Sequence, residues 1–241
     1  MTRRHSAPAF PDATLVAAWQ SASLLLDYPD ETLVDRFDLL YRAIAELPPE
    51  IGGPLARFVA HVAGTDLDRL QQEYVETFDE RRRCNLYLTY FAHGDTRKRG
   101  VALLRFKQTY LASGVRIDES AAAGGELPDH LCVVLEFAAT ADREAGWELL
   151  LDHRAGLEVL RLSLRDLGSP WADVVEAVCR TLPPLHGDEV EAIRRLAAEG
   201  PPEEEVGLTP YGTPGFDAAL AERTGPVDLP MPAPIRRGAG R

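Results

Sequence analysis

Cysteine is scarce in this chain. Its 241 residues contain three, Cys84, Cys132 and Cys179, and no two fall at CxxC spacing. An odd number of isolated thiols argues against a disulfide framework and a cysteine-based zinc site; it suits a reducing compartment. Long apolar runs are missing too, and none approaches the ~20 residues that span a bilayer. The opening MTRRHSAPAFPDA has two arginines but no apolar h-region before Pro11. It does not read as a signal peptide, so a cytoplasmic protein without direct membrane insertion is expected. Cations are outnumbered: 26 Lys and Arg face 38 Asp and Glu, for a net charge of -12. Such a chain repels phosphate, which argues against nucleic acid as a partner. Catalytic signatures are also lacking. The six histidines (His5, His61, His93, His130, His153 and His186) are scattered. There is no HExxH, GxSxG, P-loop or GxGxxG, so no catalysis and no resident metal or cofactor are expected.

What is present is helical periodicity. Leu15, Ala18, Trp19, Ala22, Leu25 and Leu26 share one face behind Asp12, a good N-cap. Tyr28-Pro29-Asp30 ends that helix and caps a second one through Leu33, Phe37, Leu40, Tyr41 and Ile44, which Pro48-Pro49 stops. Leu55, Phe58, Val59 and Val62 make a third, ending at Gly64. Thr65 with Asp68 has the capping-box pattern ahead of Leu70, Tyr74 and Phe78. Asp95 or Thr96 caps a helix through Val101, Leu104, Phe106, Tyr110 and Leu111 that closes at Gly114. Residues 115–125 read as a flexible loop. Pro128 then opens a helix through Leu131, Val134, Leu135 and Ala138. Trp147 to Leu164 continues in helical period. Ser169-Pro170 starts the helix of Val174, Val175 and Val178, which Pro183-Pro184 ends, and a last short helix spans about Asp188 to Ala198. Two apolar runs, Leu86–Phe91 and Cys132–Leu135, are ambiguous, but helix-compatible sequence flanks each. The expected fold is all-α: one compact helical bundle of about eight to ten helices over residues 12–199, preceded by a flexible arm at 1–11. Residues 200–241 hold eight prolines and seven glycines and few large apolar residues, which predicts a mostly disordered tail.

Two segments stand out. In FDERRRCNLYLTYFAHGDTRKRG (78–100), Arg81, Arg82 and Arg83, then Arg97, Lys98 and Arg99, bracket the aromatics Tyr87, Tyr90 and Phe91. The plain structural reading is buried aromatics beside exposed helix ends. The functional reading is that Asp95-Thr96-Arg97 fixes a loop-to-helix corner lining a groove, with the tyrosines as amphipathic contacts. In ELPDHL (126–131), Asp129 sits near a helix N-terminus, where free amides favour a carboxylate. His130 falls in the first turn. Either this is an ordinary helix start, or Glu126, Asp129 and Glu136 make an acidic lip for a basic side chain of a bound peptide.

Taken in order, FDERRRCNLYLTYFAHGDTRKRGVALLRFKQTY and ELPDHLCVVLEFAA resemble the nitrate reductase molybdenum cofactor assembly chaperones of the NarJ/NarW type, within the wider group of molybdoenzyme chaperones. The resemblance covers about residues 12–200. Cys132 departs from it, since several relatives carry Pro at that position. The resemblance implies a non-catalytic, all-helical cytoplasmic chaperone without a cofactor of its own. Its partner would be the N-terminal segment of the respiratory nitrate reductase α subunit, held in the apo form until bis-molybdopterin guanine dinucleotide is inserted. The client-peptide residues it implies are Tyr87, Tyr90, Asp95 and Arg97 from the first motif, and Glu126, Asp129 and His130 from the second. A helix-in-groove mode suits such a role. If His130 met the client, binding would depend on pH between about 5 and 8.

Three other readings stay open at this stage. One is a helical module serving a different molybdoenzyme. A second is a helical enzyme using Glu126, Asp129 and His130 as acid–base groups. The third is a direct binder of the molybdopterin cofactor, with Arg97, Lys98 and Arg99 on its pyrophosphate.

Overall fold

Aliphatic stripes at helical spacing have to be buried against one another, and in the computed structural model they meet around one helix. The structure describes residues 8–117, 127–185 and 187–199. The central helix is α1 (Asp12–Leu26). Its Leu15, Trp19, Ala22, Leu25 and Leu26 are almost wholly removed from water. Against it pack α8 (Leu131–Thr140) and α11 (Trp171–Thr181), and α4 (Pro49–Ala63) packs on α11. The small side chains of Ala18 and Ala22 lie on the buried face of α1. Two of the polar groups that α1 carries inward, on Trp19 and Ser23, tie it to its neighbours. The Trp19 indole donates to Thr181 Oγ1 at 2.9 Å, and Ser23 Oγ donates to the Cys132 carbonyl at 2.9 Å. The Trp171 indole in turn donates to the Leu25 carbonyl at 3.1 Å. Around Trp171 stand Phe58, Tyr74 and Phe78, with ring centroids 5.4–5.6 Å from its own.

The remaining helices form a shell. They are α2 (Glu31–Asp35), α3 (Phe37–Ala45), α5 (Leu67–Tyr74), α6 (Tyr90–His93), α7 (Arg97–Ala112), α9 (Arg143–Asp152), α10 (Arg154–Leu167) and α12 (Asp188–Glu199). The all-α class read from the sequence is what the described residues form. Two of the twelve helices, α2 and α6, are single turns. A π-helical turn (Val75–Asp79) extends α5, and a 3-10 turn (Arg82–Cys84) follows it. Helices α10 and α11 are joined by ion pairs. Glu158 takes Arg154 and Arg161 at 2.7 Å each, and Glu176 takes Arg161, Arg165 and Arg180. Helices α8 and α9 approach so closely that a Cβ on Gly146 would lie 2.3 Å from the Cβ of Ala138. Phe10, just before α1, packs on the core.

Several element boundaries differ from those read in the sequence. Pro11, not Asp12, is the N-cap of α1. The helix expected from Leu33 to Ile44 breaks at Arg36 into α2 and α3. Pro49 starts α4 at a position where its missing N–H costs nothing. The cap of α5 is Asp66, whose carboxylate accepts the Arg69 N–H at 3.0 Å, rather than Thr65. The Trp147–Leu164 period divides at His153 into α9 and α10. Pro170 takes the N-cap of α11. The expected helix start at Pro128 moves to Leu131, for a reason that belongs to the site. The tail at 200–241 lies outside the described residues.

Candidate functional site

The ambiguous run Leu86–Phe91 divides: Tyr90 and Phe91 open α6, and Leu86–Leu88 is neither helix nor sheet strand. It is an extended stretch that pairs with Asp129–Leu131 across some forty residues of sequence. The Leu88 N–H donates to the Asp129 carbonyl at 3.0 Å, and the Leu131 N–H donates to the Leu86 carbonyl at 2.9 Å. Tyr87 and His130 face one another as an isolated antiparallel bridge, with their rings edge-to-face at 5.1 Å. This pairing takes the backbone around Asp129 out of helical register, so α8 cannot begin at Pro128. From below, the Tyr110 hydroxyl of α7 donates to the Pro128 carbonyl at 2.6 Å.

Asp129 is completely buried. Its carboxylate does not cap α8. Instead Oδ2 accepts the Thr89 N–H at 3.1 Å and the Thr89 hydroxyl at 2.5 Å. The Arg99 guanidinium, itself mostly buried, stands 3.7 Å away. Arg99 joins the pieces. Its Nε donates to Thr89 Oγ1 at 3.2 Å, and its Nη1 donates to Asp95 Oδ1 at 3.1 Å. Its carbon centre lies 5.1 Å from the Tyr87 ring and 5.9 Å from the Tyr90 ring, at cation–π range. Gly94, at φ 55°, turns the chain between α6 and Asp95. A Cβ would disfavour that backbone. The Thr96 hydroxyl donates to the His93 carbonyl at 2.8 Å and fixes the entry to α7.

Of the residues singled out in the sequence, the structure therefore gathers Tyr87, Tyr90, Asp95, Asp129 and His130 around Arg99. Their exposures differ. Tyr90, Asp129 and His130 are buried, Tyr87 is half-buried, and Asp95 is open to solvent. Arg97 and Lys98 are exposed on the first turn of α7, outside the cluster. Glu126 lies outside the described residues. Because Asp129 points inward, the acidic lip expected from Glu126, Asp129 and Glu136 does not include it. Burial also pushes the His130 pKa down to about 4, outweighing the opposing pull of Asp27 and Asp129. In the free chain His130 is therefore held mainly in its neutral form over the pH 5–8 window in which client binding was expected to titrate.

Two members of the cluster were not among the client-peptide residues implied by the resemblance: Thr89, and Arg99, which entered only as a flanking cation and in the cofactor-binding alternative. Arg99 carries a readable signal, since it stands four residues after Asp95, the spacing of a helical ion pair. Thr89 carries none. The inward engagement of Arg99 counts against a pyrophosphate site built on Arg97, Lys98 and Arg99. The burial of Asp129 and His130 counts against their use as an acid–base pair on a substrate. Among the described residues no group of three or more His, Cys, Asp or Glu is arranged to hold a metal. No helix there is long and apolar enough to cross a membrane.

Both motifs of the cluster fall inside the region, residues 44–177, that matches the family model described as nitrate reductase delta subunit. The chain belongs to that family. Its curated relatives include the nitrate reductase-like protein NarX of Mycobacterium tuberculosis, 43% identical over 167 residues, which are 68% of this chain and 24% of that protein. The chain thus aligns with only about a quarter of that relative. The probable nitrate reductase molybdenum cofactor assembly chaperone NarJ of Bacillus subtilis is 33% identical over 165 residues, 68% of this chain and 87% of that protein. The molybdenum cofactor assembly chaperone NarJ of Escherichia coli is 32% identical over 153 residues, 62% of this chain and 63% of that protein. In this chain the NLYLTY motif and the LPDHL stretch (127–131) are the two halves of one clasp.

Proposed function

We propose that the chain is a dedicated cytoplasmic assembly chaperone for respiratory nitrate reductase. It binds the N-terminal region of the apo α subunit and keeps it competent for molybdenum cofactor insertion and complex assembly, with no chemistry of its own. The observation that supports this most is the clasp: a buried Asp129–Thr89–Arg99 hub that holds Tyr87 and the exposed Asp95 on the two sides of Arg99. The relatives named as molybdenum cofactor assembly chaperones support the client class. In this reading Tyr87, Asp95 and Arg97 touch the client peptide. Tyr90, Asp129 and His130 hold them in place, and Glu126 contributes from the neighbouring segment. A half-buried tyrosine with charged neighbours is the composition of a binding hot spot. The rigid hub lowers the ordering cost of association.

Calorimetric titration of a synthetic α-subunit N-terminal peptide into the full chain tests this. Wild type binds, Tyr87→Ala weakens binding by about tenfold, and Asp95→Ala with Arg97→Ala weakens it further. Absence of binding by wild type to the peptide and to the purified apo α subunit would refute the proposal. Turnover of a small molecule by the purified chain would do the same.

A further inference from the structure

Helix α7 is apolar on two faces. Phe106 and Tyr110 point into the core, as any surface helix requires. On the opposite face Val101, Leu104 and Leu111 are 66%, 55% and 55% exposed. They fall at i, i+3 and i+10, with the exposed Gln108 at i+7, and span about 15 Å of a helix of 16 residues. Solvent-facing leucines occur singly on ordinary helices; an ordered stripe opposite an already filled core face marks an interaction surface.

The charges that α7 itself carries are of one sign; beside Arg105, Glu148 and Asp152 of α9 line the same cavity. Sequence RKRGVALLRFKQTYLA contains five cations and no acidic residue, in a chain whose net charge is -12. Arg99 turns inward to Asp95 and Thr89. Arg97, Lys98 and Arg105 are exposed, so the stripe has cationic borders. Helix-on-helix packing covers an apolar stripe of this length, and a cationic border selects acidic residues at the edges of whatever covers it.

We infer that the exposed face of α7 docks an acidic amphipathic helix of the α subunit, laid along Val101, Leu104 and Leu111 with its carboxylates against Arg97, Lys98 and Arg105. The source of the helix rests on the function proposed above; the surface and its charge preference rest on α7 itself. This is a second contact with the client, on the helix whose first residue is Arg97.

The test uses the full chain and purified apo α subunit in biolayer interferometry. Val101→Ser, Leu104→Ser and Leu111→Ser together weaken binding by about a hundredfold. These positions face solvent, so an unchanged melting curve accompanies the loss. Lys98→Glu with Arg105→Glu weakens binding by about tenfold and flattens its salt dependence. A benzophenone cross-linker at position 104 then joins an α-subunit segment bearing acidic residues at helical spacing. Wild-type affinity in the triple serine variant would overturn the inference while leaving the chaperone reading intact. So would cross-links confined to a basic segment, to a second copy or to the chain itself. If wild type does not bind the α subunit at all, both fail.

Discussion

Removing the Asp129 carboxylate separates a supporting role from direct contact. In Asp129→Ala, the Thr89 N–H and hydroxyl lose an acceptor held at 3.1 and 2.5 Å, and Thr89 is as buried as Asp129. The Arg99 guanidinium loses the anion that stands 3.7 Å from it. Bonds to a charged acceptor contribute about 1.5–3 kcal/mol each. Deleting one partner of a buried pair costs about 3–5 kcal/mol, because the other charge is left uncompensated. We expect a loss of about 4 kcal/mol for Asp129→Ala. For Asp129→Asn, which keeps an acceptor for Thr89, the expected loss is about 2 kcal/mol. Urea unfolding followed by far-UV circular dichroism, with the slope unchanged, measures both. Client affinity at low temperature, where the variant is still folded, should fall less for Asn than for Ala, since Asn retains the Thr89 bonds. If Asp129→Ala costs under about 1 kcal/mol and yet abolishes client binding, Asp129 is a contact residue and the hub argument is wrong.

Three further outcomes are expected. His130 has a folded-state pKa of about 4 against an ordinary 6.5, so the unfolded chain binds the proton first on acidification. Stability contributed by neutral His130 is complete above pH 6.5 and is lost between pH 6.5 and 4, by about 3 kcal/mol; His130→Gln should flatten that part of the pH–stability curve, and an unchanged curve would contradict its burial. Gly146→Ala forces a Cβ to within 2.3 Å of Ala138 Cβ and 2.5 Å of its Cα, which should lower the melting temperature by about 10 °C or more. Burial pushes the Cys179 thiol up to about 12, so titration with a thiol reagent should leave it unmodified in native chain and reach it only in denaturant.

The helical class was legible because each stripe was long. Leu15 to Leu26 and Leu131 to Ala138 keep one face over several turns, and nothing competes with that period. The breaks were less legible. Arg36 and His153 interrupt continuous patterns without a glycine or proline at the break. The site was half legible. Tyr87, Asp95 and Asp129 could be picked out by their neighbours, but the side on which Asp129 spends its charge could not. A carboxylate next to Pro128 looks like a helix cap, and only the paired stretch at Leu86–Leu88 supplies the better donors on Thr89. That pairing joins residues forty positions apart in an otherwise helical chain, where period gives no hint of it. The exposed stripe on α7 was hidden for a different reason. Val101, Leu104 and Leu111 are indistinguishable in sequence from core residues, and only the placement of Phe106 and Tyr110 shows which apolar face had already been used.

Because Leu86–Leu88 is hydrogen-bonded to Asp129–Leu131, everything in between starts and ends at the same spot. The stretch from Thr89 to Pro128 is a lariat with its knot at Arg99, and α7 is its stiff arm, anchored inward by Phe106 and Tyr110. Phe106 and Tyr110 are themselves almost wholly buried, packed on His153 and Phe137, so the arm is held twice, by the knot at its base and by the core along its length.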